Sequence, residues 1–295
     1  HHLLTGNKDA ALAVIGLSDW IDCFYNGAGN ILGRIHRFLS VDLKAGSMTN
    51  IGYREPGFRY PLDRGTGNYL NALIDRYQIT QEPHLLKQMH GIVVETVSPT
   101  DDLASRKLDD VENHWFYIVF LQALARYLLL KEQREQVDEH YAYARHAFVH
   151  YAGWVYAHEK PYLSDPGALE FPTDTWAAQD LRKAGVLYLA AYFLPQKRDE
   201  MLARAEEFWS YCEAALSQSP ERDTTRVLAI IAQNLGVREW VLSRESSPYP
   251  LAELQSLSVH KPSLLQGFLQ DLGRGLHSFS LTDEIQWLKG RTGRR

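Results

Sequence analysis

The sequence predicts an all-α fold built from helical hairpins. Apolar residues recur three and four positions apart through most of the chain, which is the spacing of one face of an α-helix. The alternation of apolar and polar residues that marks a half-buried strand is hard to find anywhere. Similar helix–turn–helix junctions follow Tyr77, Tyr127 and Tyr192. Hairpins repeated in this way form either an open solenoid or a closed ring.

The composition is that of an ordinary globular protein and argues against several classes of function. The chain has 295 residues, of which 45% are hydrophobic, and we expect residues 1–295 to form a single helical domain. Because the sequence opens without methionine, we expect this domain to belong to a longer or processed chain. The net charge of −5 argues against a nucleic-acid partner, which would require a basic domain or stripe. The longest apolar run, "FYIVFLQALARYLLL", is interrupted by Gln122 and Arg126 and is too short for a membrane span.

The chain begins with a helical region and continues into a glycine-rich loop. The pattern of residues 9–40 indicates helix, and residues 44–65 form a long connection rich in Gly, Pro, Tyr and Arg. Glycine-rich turns that lead into helices often bind phosphate groups. Here the P-loop spacing is missing, and "GAGNILG" at 27–33 does not have the dinucleotide-binding spacing. We therefore do not expect a nucleotide site.

The first clear hairpin follows this loop. Tyr69, Leu73 and Tyr77 form a helical stripe that begins just after "DRGTGN". A short polar turn comes next, in which Thr80 can cap a second helix that is entered through Leu85. The pattern therefore predicts two helices joined by a tight turn.

The rest of the chain predicts further helices separated by loops. Residues 111–133 are apolar around nearly the whole circumference, so we expect this helix to be buried. Helices are predicted at 111–133, 137–158, 173–192, 197–217, 222–243, 262–273 and 282–289. Long connections inside a compact domain commonly carry function, which draws attention to 44–65, 98–110 and 160–172.

The stretch "GTGNYLNALIDRYQITQEPHLLKQM" resembles a phrase that recurs in α/α-toroid carbohydrate-active proteins. In that phrase a tyrosine ends one helix, a Thr-Gly-Asp-like turn follows, and a Tyr-Leu pair opens the next helix. The group includes polysaccharide lyases of the heparinase and exo-rhamnogalacturonan-lyase type, unsaturated glucuronyl hydrolases and N-acylglucosamine 2-epimerases. The resemblance extends over residues 58–215, with Gln81 and Glu82 in place of the Gly and Asp of the turn. It implies a toroid of helical hairpins, complete or lacking a hairpin, with a glycan site at one mouth.

The loop before the first hairpin, together with the start of its first helix, supplies one set of candidate substrate-binding residues. Sugars are bound by aromatic faces and by polar side chains that bond to hydroxyls, and a uronate adds a need for arginine. The candidates here are Arg59, Tyr60, Arg64, Asn68 and Tyr69. The alternative is a surface loop with solvated arginines, held against the core by its aromatic residues.

Two further sets lie in "DDLASRKLDDVENHWFY" and "LEFPTDTWAAQDLRK". Glu112 falls on the apolar side of a helix that we expect to be buried, so it needs a partner such as Arg106 or a raised pKa. Asp180 interrupts the apolar stripe of its helix in the same way. The candidate substrate-binding residues of these sets are Arg106, Trp115, Trp176 and Gln179, and the candidate catalytic residues are Glu112, Asp180, His114 and Tyr117.

These side chains are compatible with two kinds of chemistry on a carbohydrate. A hydrolase would use Glu112 and Asp180 as the acid and the base on either side of the scissile bond. A lyase would use His114 or Tyr117 as the base and Arg64 to neutralise a uronate carboxylate. We therefore expect an enzyme that acts on a polysaccharide or oligosaccharide by elimination or hydrolysis.

Two alternatives stay open, a sugar epimerase and a non-catalytic helical scaffold that binds glycan or protein. The scaffold is favoured if Glu112 and Asp180 are paired with arginines far from any cavity. No cofactor is predicted. No metal is predicted either, because "HAFVH" at 146–150 lacks the glutamate that follows the first histidine of the H-E-x-x-H motif.

Overall fold

The computed structural model of the protein describes residues 2–27, 29–221, 224–259, 261–277 and 279–292. It is about 70% helix and 1% strand, which confirms the all-α prediction. The helices are α1 His2–Thr5, α2 Lys8–Asn26, α3 Ile31–Arg37, α4 Arg64–Thr80, α5 Pro83–Val94, α6 Val111–His114, α7 Tyr117–Gln133, α8 Glu139–His158, α9 Asp174–Phe193, α10 Arg198–Gln218, α11 Thr225–Leu242, α12 Leu264–His277 and α13 Leu281–Thr292. Strands β1 Met48–Thr49 and β2 Gly52–Tyr53 pair antiparallel, with Met48 opposite Tyr53.

The chain divides into two compact units. Unit 1 contains residues 1–97 and 260–295, and unit 2 contains residues 98–259. The second unit is therefore inserted into the chain of the first. Within the described part of the chain, no helix is both long enough and apolar enough to cross a membrane.

Unit 1 contains the first predicted hairpin. Helices α2 and α5 pack against α4, while α12 and α13 pack against α3. Asp63 is the N-cap of α4, and its Oδ1 accepts the Thr66 amide at 2.8 Å. The turn after α4 ends at Gln81, whose φ of 58° lies in the left-handed region and whose amide donates to the carbonyl of Tyr77. The expected cap from Thr80 is wrong, because α5 begins with Glu82 as its N-cap and Pro83 at its first position.

The predicted helix over 9–40 is divided into two helices, α2 and α3. Helix α2 ends at Asn26 and is capped by Gly27, which has a φ of 78°. A Cβ added to Gly27 would lie 2.8 Å from the carbonyl oxygen of Gly33, so only glycine allows α3 to approach this closely. After α3 the chain makes a π-helical turn, Phe38–Asp42.

Unit 2 is organised around α9, which packs against α7, α8, α10 and α11. Most of α9 is buried, and small residues such as Ala177, Ala184 and Gly185 let the neighbouring helices come close. The pairs α7–α8 and α9–α10 are helix–turn–helix units, as the junctions after Tyr127 and Tyr192 predict. The predicted helix 111–133 is interrupted, since α6 ends at His114 and α7 begins at Tyr117.

Candidate functional site

The candidate residues predicted from the sequence fall into both units. Arg59, Tyr60, Arg64, Asn68 and Tyr69 belong to unit 1, and the other eight belong to unit 2. Each group is therefore described within its own unit.

In unit 1 most of the candidate residues are buried and contact other residues of the protein. Arg59 is buried and pairs with Asp271 and with Glu95, whose Oε2 lies 3.6 Å from Nη1. The tyrosines Tyr60 and Tyr69 are also buried. Tyr60 donates to Asn26 Oδ1 at 2.6 Å, and Tyr69 stacks on Tyr25 with ring centroids 5.1 Å apart. Only Arg64 and Asn68, one turn apart on α4, are exposed to solvent.

In unit 2 the structure brings two predicted tryptophans together. Trp115, directly after α6, and Trp176, in the first turn of α9, meet edge to face with ring centroids 5.7 Å apart. Both are partly exposed, and we call them the tryptophan pair. The buried ring of Tyr162 lies behind Trp176 at 5.1 Å, and Phe116 lies beside Trp115 at 5.7 Å.

The irregular segment 160–172 fixes this pair from one side. The indole Nε1 of Trp176 donates to the carbonyl of Phe171 at 2.9 Å. The amide of Glu170 donates to Glu112 Oε2 at 3.2 Å, which ties the same segment to α6. The Phe171 side chain is 69% exposed, so the surface around the pair contains a further aromatic ring in contact with solvent.

Asp180 lies deeper, in a buried charge cluster with Glu159 and Lys183. The Lys183 ammonium lies 2.9 Å from Glu159 Oε2 and 3.2 Å from Asp180 Oδ1, and it donates to the carbonyl of Lys160 at 2.6 Å. Its Nζ is also 3.1 Å from the centroid of the Tyr162 ring. Asp180 and Lys183 both have an exposure of 0%, so solvent does not reach the charges in this arrangement.

The electrostatics of the cluster follow from one cation shared by two carboxylates. Burial raises the pKa of the Asp180 carboxyl to about 7, although Lys183 and the Tyr162 amide act to lower it. Burial also raises the pKa of the Tyr117 hydroxyl, and Glu159 raises it further by accepting a hydrogen bond from this hydroxyl, with 2.7 Å between the two oxygens. Sequence reasoning missed Lys183, although a lysine three residues after Asp180 on an apolar stripe was a usable signal.

The remaining candidates in unit 2 have partners of different kinds. Glu112 is partly exposed, and no cation of the described residues forms an ion pair with it. Arg106, which we expected beside Glu112, is buried and pairs with Asp101 at 3.0 Å instead. His114 Nδ1 is 3.7 Å from Asp110 Oδ2, and the buried Gln179 accepts from Arg182 Nε at 2.7 Å.

The two histidines of "HAFVH" are bonded to backbone carbonyls. His146 Nε2 lies 2.6 Å from the carbonyl oxygen of Ala252, and His150 Nε2 lies 2.8 Å from that of Asp101. A search of the described residues for three or more His, Cys, Asp or Glu side chains able to hold one metal ion finds no such group.

Comparisons with known proteins were made at three levels. No family model, no curated protein and no solved structure matches this chain.

Proposed function

We propose that the protein binds a carbohydrate and that a sugar ring packs on the tryptophan pair of unit 2. The observation that carries the proposal is the edge-to-face contact of Trp115 and Trp176, two partly exposed aromatic rings held in one place. Tryptophan has a large apolar ring and a polar N–H group, so it is common at binding sites where the ring is covered by a ligand and the polar edge stays in contact with water. The apolar face of a pyranose ring fits such a surface.

The support around the pair favours a preformed site. The indole of Trp176 is oriented by its hydrogen bond to Phe171, and Tyr162 packs behind it. A ring that is already fixed loses little conformational entropy when a ligand binds. Glu112 is partly exposed beside Trp115 in the chain, and its Oε1 has no donor among the described residues, so it is available to a sugar hydroxyl.

Binding is better supported than catalysis by the positions of the candidate acids and bases. Asp180 and Tyr117 are enclosed, and Asp180 is held by Lys183, which is the kind of arrangement expected of a structural ion cluster. Elimination or hydrolysis remains the second candidate, because Glu112 and His114 are partly exposed near the tryptophan pair in the chain. The toroidal arrangement of hairpins stays a prediction of the resemblance, as do the enzyme and epimerase assignments.

The proposal is tested by calorimetric titration with a panel of neutral and uronate-containing oligosaccharides. Trp115→Ala and Trp176→Ala are each expected to weaken binding of any ligand by about tenfold or more, since an aromatic contact contributes about 0.5 to 1.5 kcal/mol beyond its buried area. The matched control is Trp209→Ala, because Trp209 is a partly exposed tryptophan of the same unit that packs on Tyr188 instead. Equal loss in all three variants, or no binding across the panel, would contradict the proposal.

Catalysis is tested on the same samples by analysing the products. A lyase releases an unsaturated uronate with a new ultraviolet absorbance, and a hydrolase releases new reducing ends. If turnover is found, Glu112→Gln is expected to abolish it while leaving binding within a few-fold of wild type. Saturable binding without turnover on the whole panel would favour the scaffold.

A further inference from the structure

Unit 1 contains a pocket of about 650 Å³ whose residues are different from those of the proposed glycan site. Its walls come from the end of α2, from α3 and the π-helical turn, from the segment 44–50 and from α13. A volume of this size is typical of sites for small organic ligands, which are roughly 300 to 1,000 Å³. No sequence pattern predicts this pocket, because its residues are far apart in the chain.

The wall of this pocket is positively charged. Three of its residues are cations, Arg37, Lys44 and Arg291, and no aspartate or glutamate occurs among its described lining residues. Burial, and then the charge of Arg291, lower the pKa of the His36 imidazole. Since His36 Nδ1 lies 3.2 Å from Arg291 Nη2, a neutral ring that accepts this contact fits the geometry.

Arg37 is the buried cation of the three. Its exposure is only 4%, yet Nε, Nη1 and Nη2 make no hydrogen bond within the described part of the chain. Its Nη2 is 3.3 Å from Asp42 Oδ1, an ion pair without the geometry of a hydrogen bond. Buried guanidinium groups normally have acceptors for their donors. Because these three nitrogens are closed off from solvent, Arg37 contributes positive charge from behind the wall of the pocket, and direct contacts to a ligand come from the other two cations.

The other two cations, Lys44 and Arg291, are exposed to solvent. Neither Lys44 nor Arg291 forms an ion pair with any residue that the structure describes. The Arg291 guanidinium lies over the Trp287 ring, 5.1 Å from its centroid, which orients it beside an aromatic wall of the pocket. Phe24, on α2, adds a second aromatic ring to the lining.

We infer that this pocket binds the phosphate group of a small organic phosphate monoester. Three cations with one carboxylate, Asp42, behind them leave two uncompensated positive charges, and a phosphate monoester carries about −1.5 to −2 at neutral pH. The forked guanidinium of arginine matches the oxygens of phosphate. The rings of Trp287 and Phe24 provide an apolar surface for the organic part. The inference does not depend on the glycan proposal, since it uses other residues.

The experiment is calorimetric titration of the full chain with phenyl phosphate at low ionic strength, with phenyl sulfate and benzoate as singly charged comparisons. Because Arg37 is buried and its variants are expected to unfold, the test uses the exposed cations. Lys44→Gln and Arg291→Gln are each expected to weaken phenyl phosphate binding by about tenfold, the loss of one charge-assisted contact. The matched controls are Lys289→Gln on α13 and Lys87→Gln on α5, exposed lysines of unit 1 outside the pocket lining.

The expected result is saturable binding of phenyl phosphate that the two pocket variants weaken and the two controls leave unchanged. Equal weakening by all four variants would mean that general charge attraction, and not this pocket, holds the ligand. Absence of saturable binding up to millimolar phenyl phosphate would overturn the inference. Benzoate or phenyl sulfate binding as tightly as phenyl phosphate would overturn the assignment of a doubly charged ligand.

Discussion

Lys183 shows how one buried side chain can satisfy several neighbours at once. It lies between the carboxylates of Glu159 and Asp180, bonds to the carbonyl of Lys160 and packs on the Tyr162 ring. Burying a charge is costly unless it is both paired and hydrogen-bonded, and this ammonium has both kinds of partner. The cluster therefore connects α8, α9 and the segment between them by buried ionic and hydrogen-bonded contacts.

The raised pKa of Asp180 has a measurable consequence for stability. In the unfolded chain an aspartate loses its proton near pH 4, whereas burial holds the pKa of Asp180 at about 7 in the folded protein. Between these values the folded state binds more protons than the unfolded state, so the contribution of Asp180 to stability falls as pH rises. It is fully present below about pH 4 and lost above about pH 7.

We therefore expect Asp180→Asn to remove a pH dependence. The free energy of unfolding of wild type, minus that of the variant, should fall by roughly 2 to 4 kcal/mol between pH 4 and pH 8. Urea unfolding of both proteins across this range measures the difference, in which the titrating groups that do not interact with Asp180 cancel. Parallel stability curves would show that Asp180 titrates normally in the folded protein.

At the scale of single elements, the two turns that follow α4 and α7 share one backbone feature. Gln81 has a φ of 58° and Glu135 a φ of 55°, both in the left-handed region that favours glycine. Each of these residues lies in the turn between the two helices of a hairpin. In both turns a residue with a side chain holds a conformation to which glycine is better suited.

Gln81→Gly is accordingly expected to stabilise the protein by about 0.5 to 1 kcal/mol, since glycine adopts a positive φ without steric cost. Glu135→Gly should act in the same direction for the second hairpin. Gln78→Gly is the opposite control, because Gln78 lies inside α4, where glycine costs about 1 kcal/mol. Chemical unfolding measures all three, and a destabilised Gln81→Gly would contradict the strain that we assign to this turn.

The same elements show which parts of the structure could be read from the sequence. Helices α8 to α11 begin and end within three residues of the predicted limits, because their apolar spacing and flanking polar turns are both clear. The interruption of the helix at Trp115 and Phe116 was not predicted, because apolar residues continue through it. The spacing of apolar residues does not show a local change in backbone conformation. The break at Gly27 was missed because it depends on contact with Gly33, which is a tertiary feature.

The candidate site was predictable to a similar degree. Trp115 and Trp176 were identified one by one, and the structure places their rings in contact. The partner of Asp180 was not identified, because the sequence cannot show that Lys183 points towards Glu159 as well. The phosphate pocket was not foreseen at all, since Arg37 and Arg291 come together only through the packing of α13 on α3.

At the scale of the whole molecule, the insertion of unit 2 between residues 97 and 260 gives each unit its own buried core. In unit 1, Tyr69, Leu73 and Met89 of α4 and α5 are buried, while in unit 2 Phe148 of α8 and Leu187 of α9 are buried. A domain with its own core responds to a local defect as a cooperative unit. Damage to one core should therefore be visible mainly in the helices of that unit.

This expectation can be tested by hydrogen exchange with one defect placed in each unit. Lys183→Met leaves two buried carboxylates without their cation, which is expected to destabilise unit 2 by about 3 to 5 kcal/mol. Exchange should then accelerate in peptides of α7 to α10 and stay close to wild type in α4 and α5. Gly27→Ala places a Cβ against the Gly33 carbonyl and should give the reverse pattern, with faster exchange in α2 and α3. Lys160→Met is the control for the first variant, because the Lys160 side chain is exposed and only its carbonyl binds Lys183. Faster exchange throughout the chain in both variants would mean that the two units unfold as one, and the glycan and phosphate sites would then have to be studied as parts of a single cooperative structure.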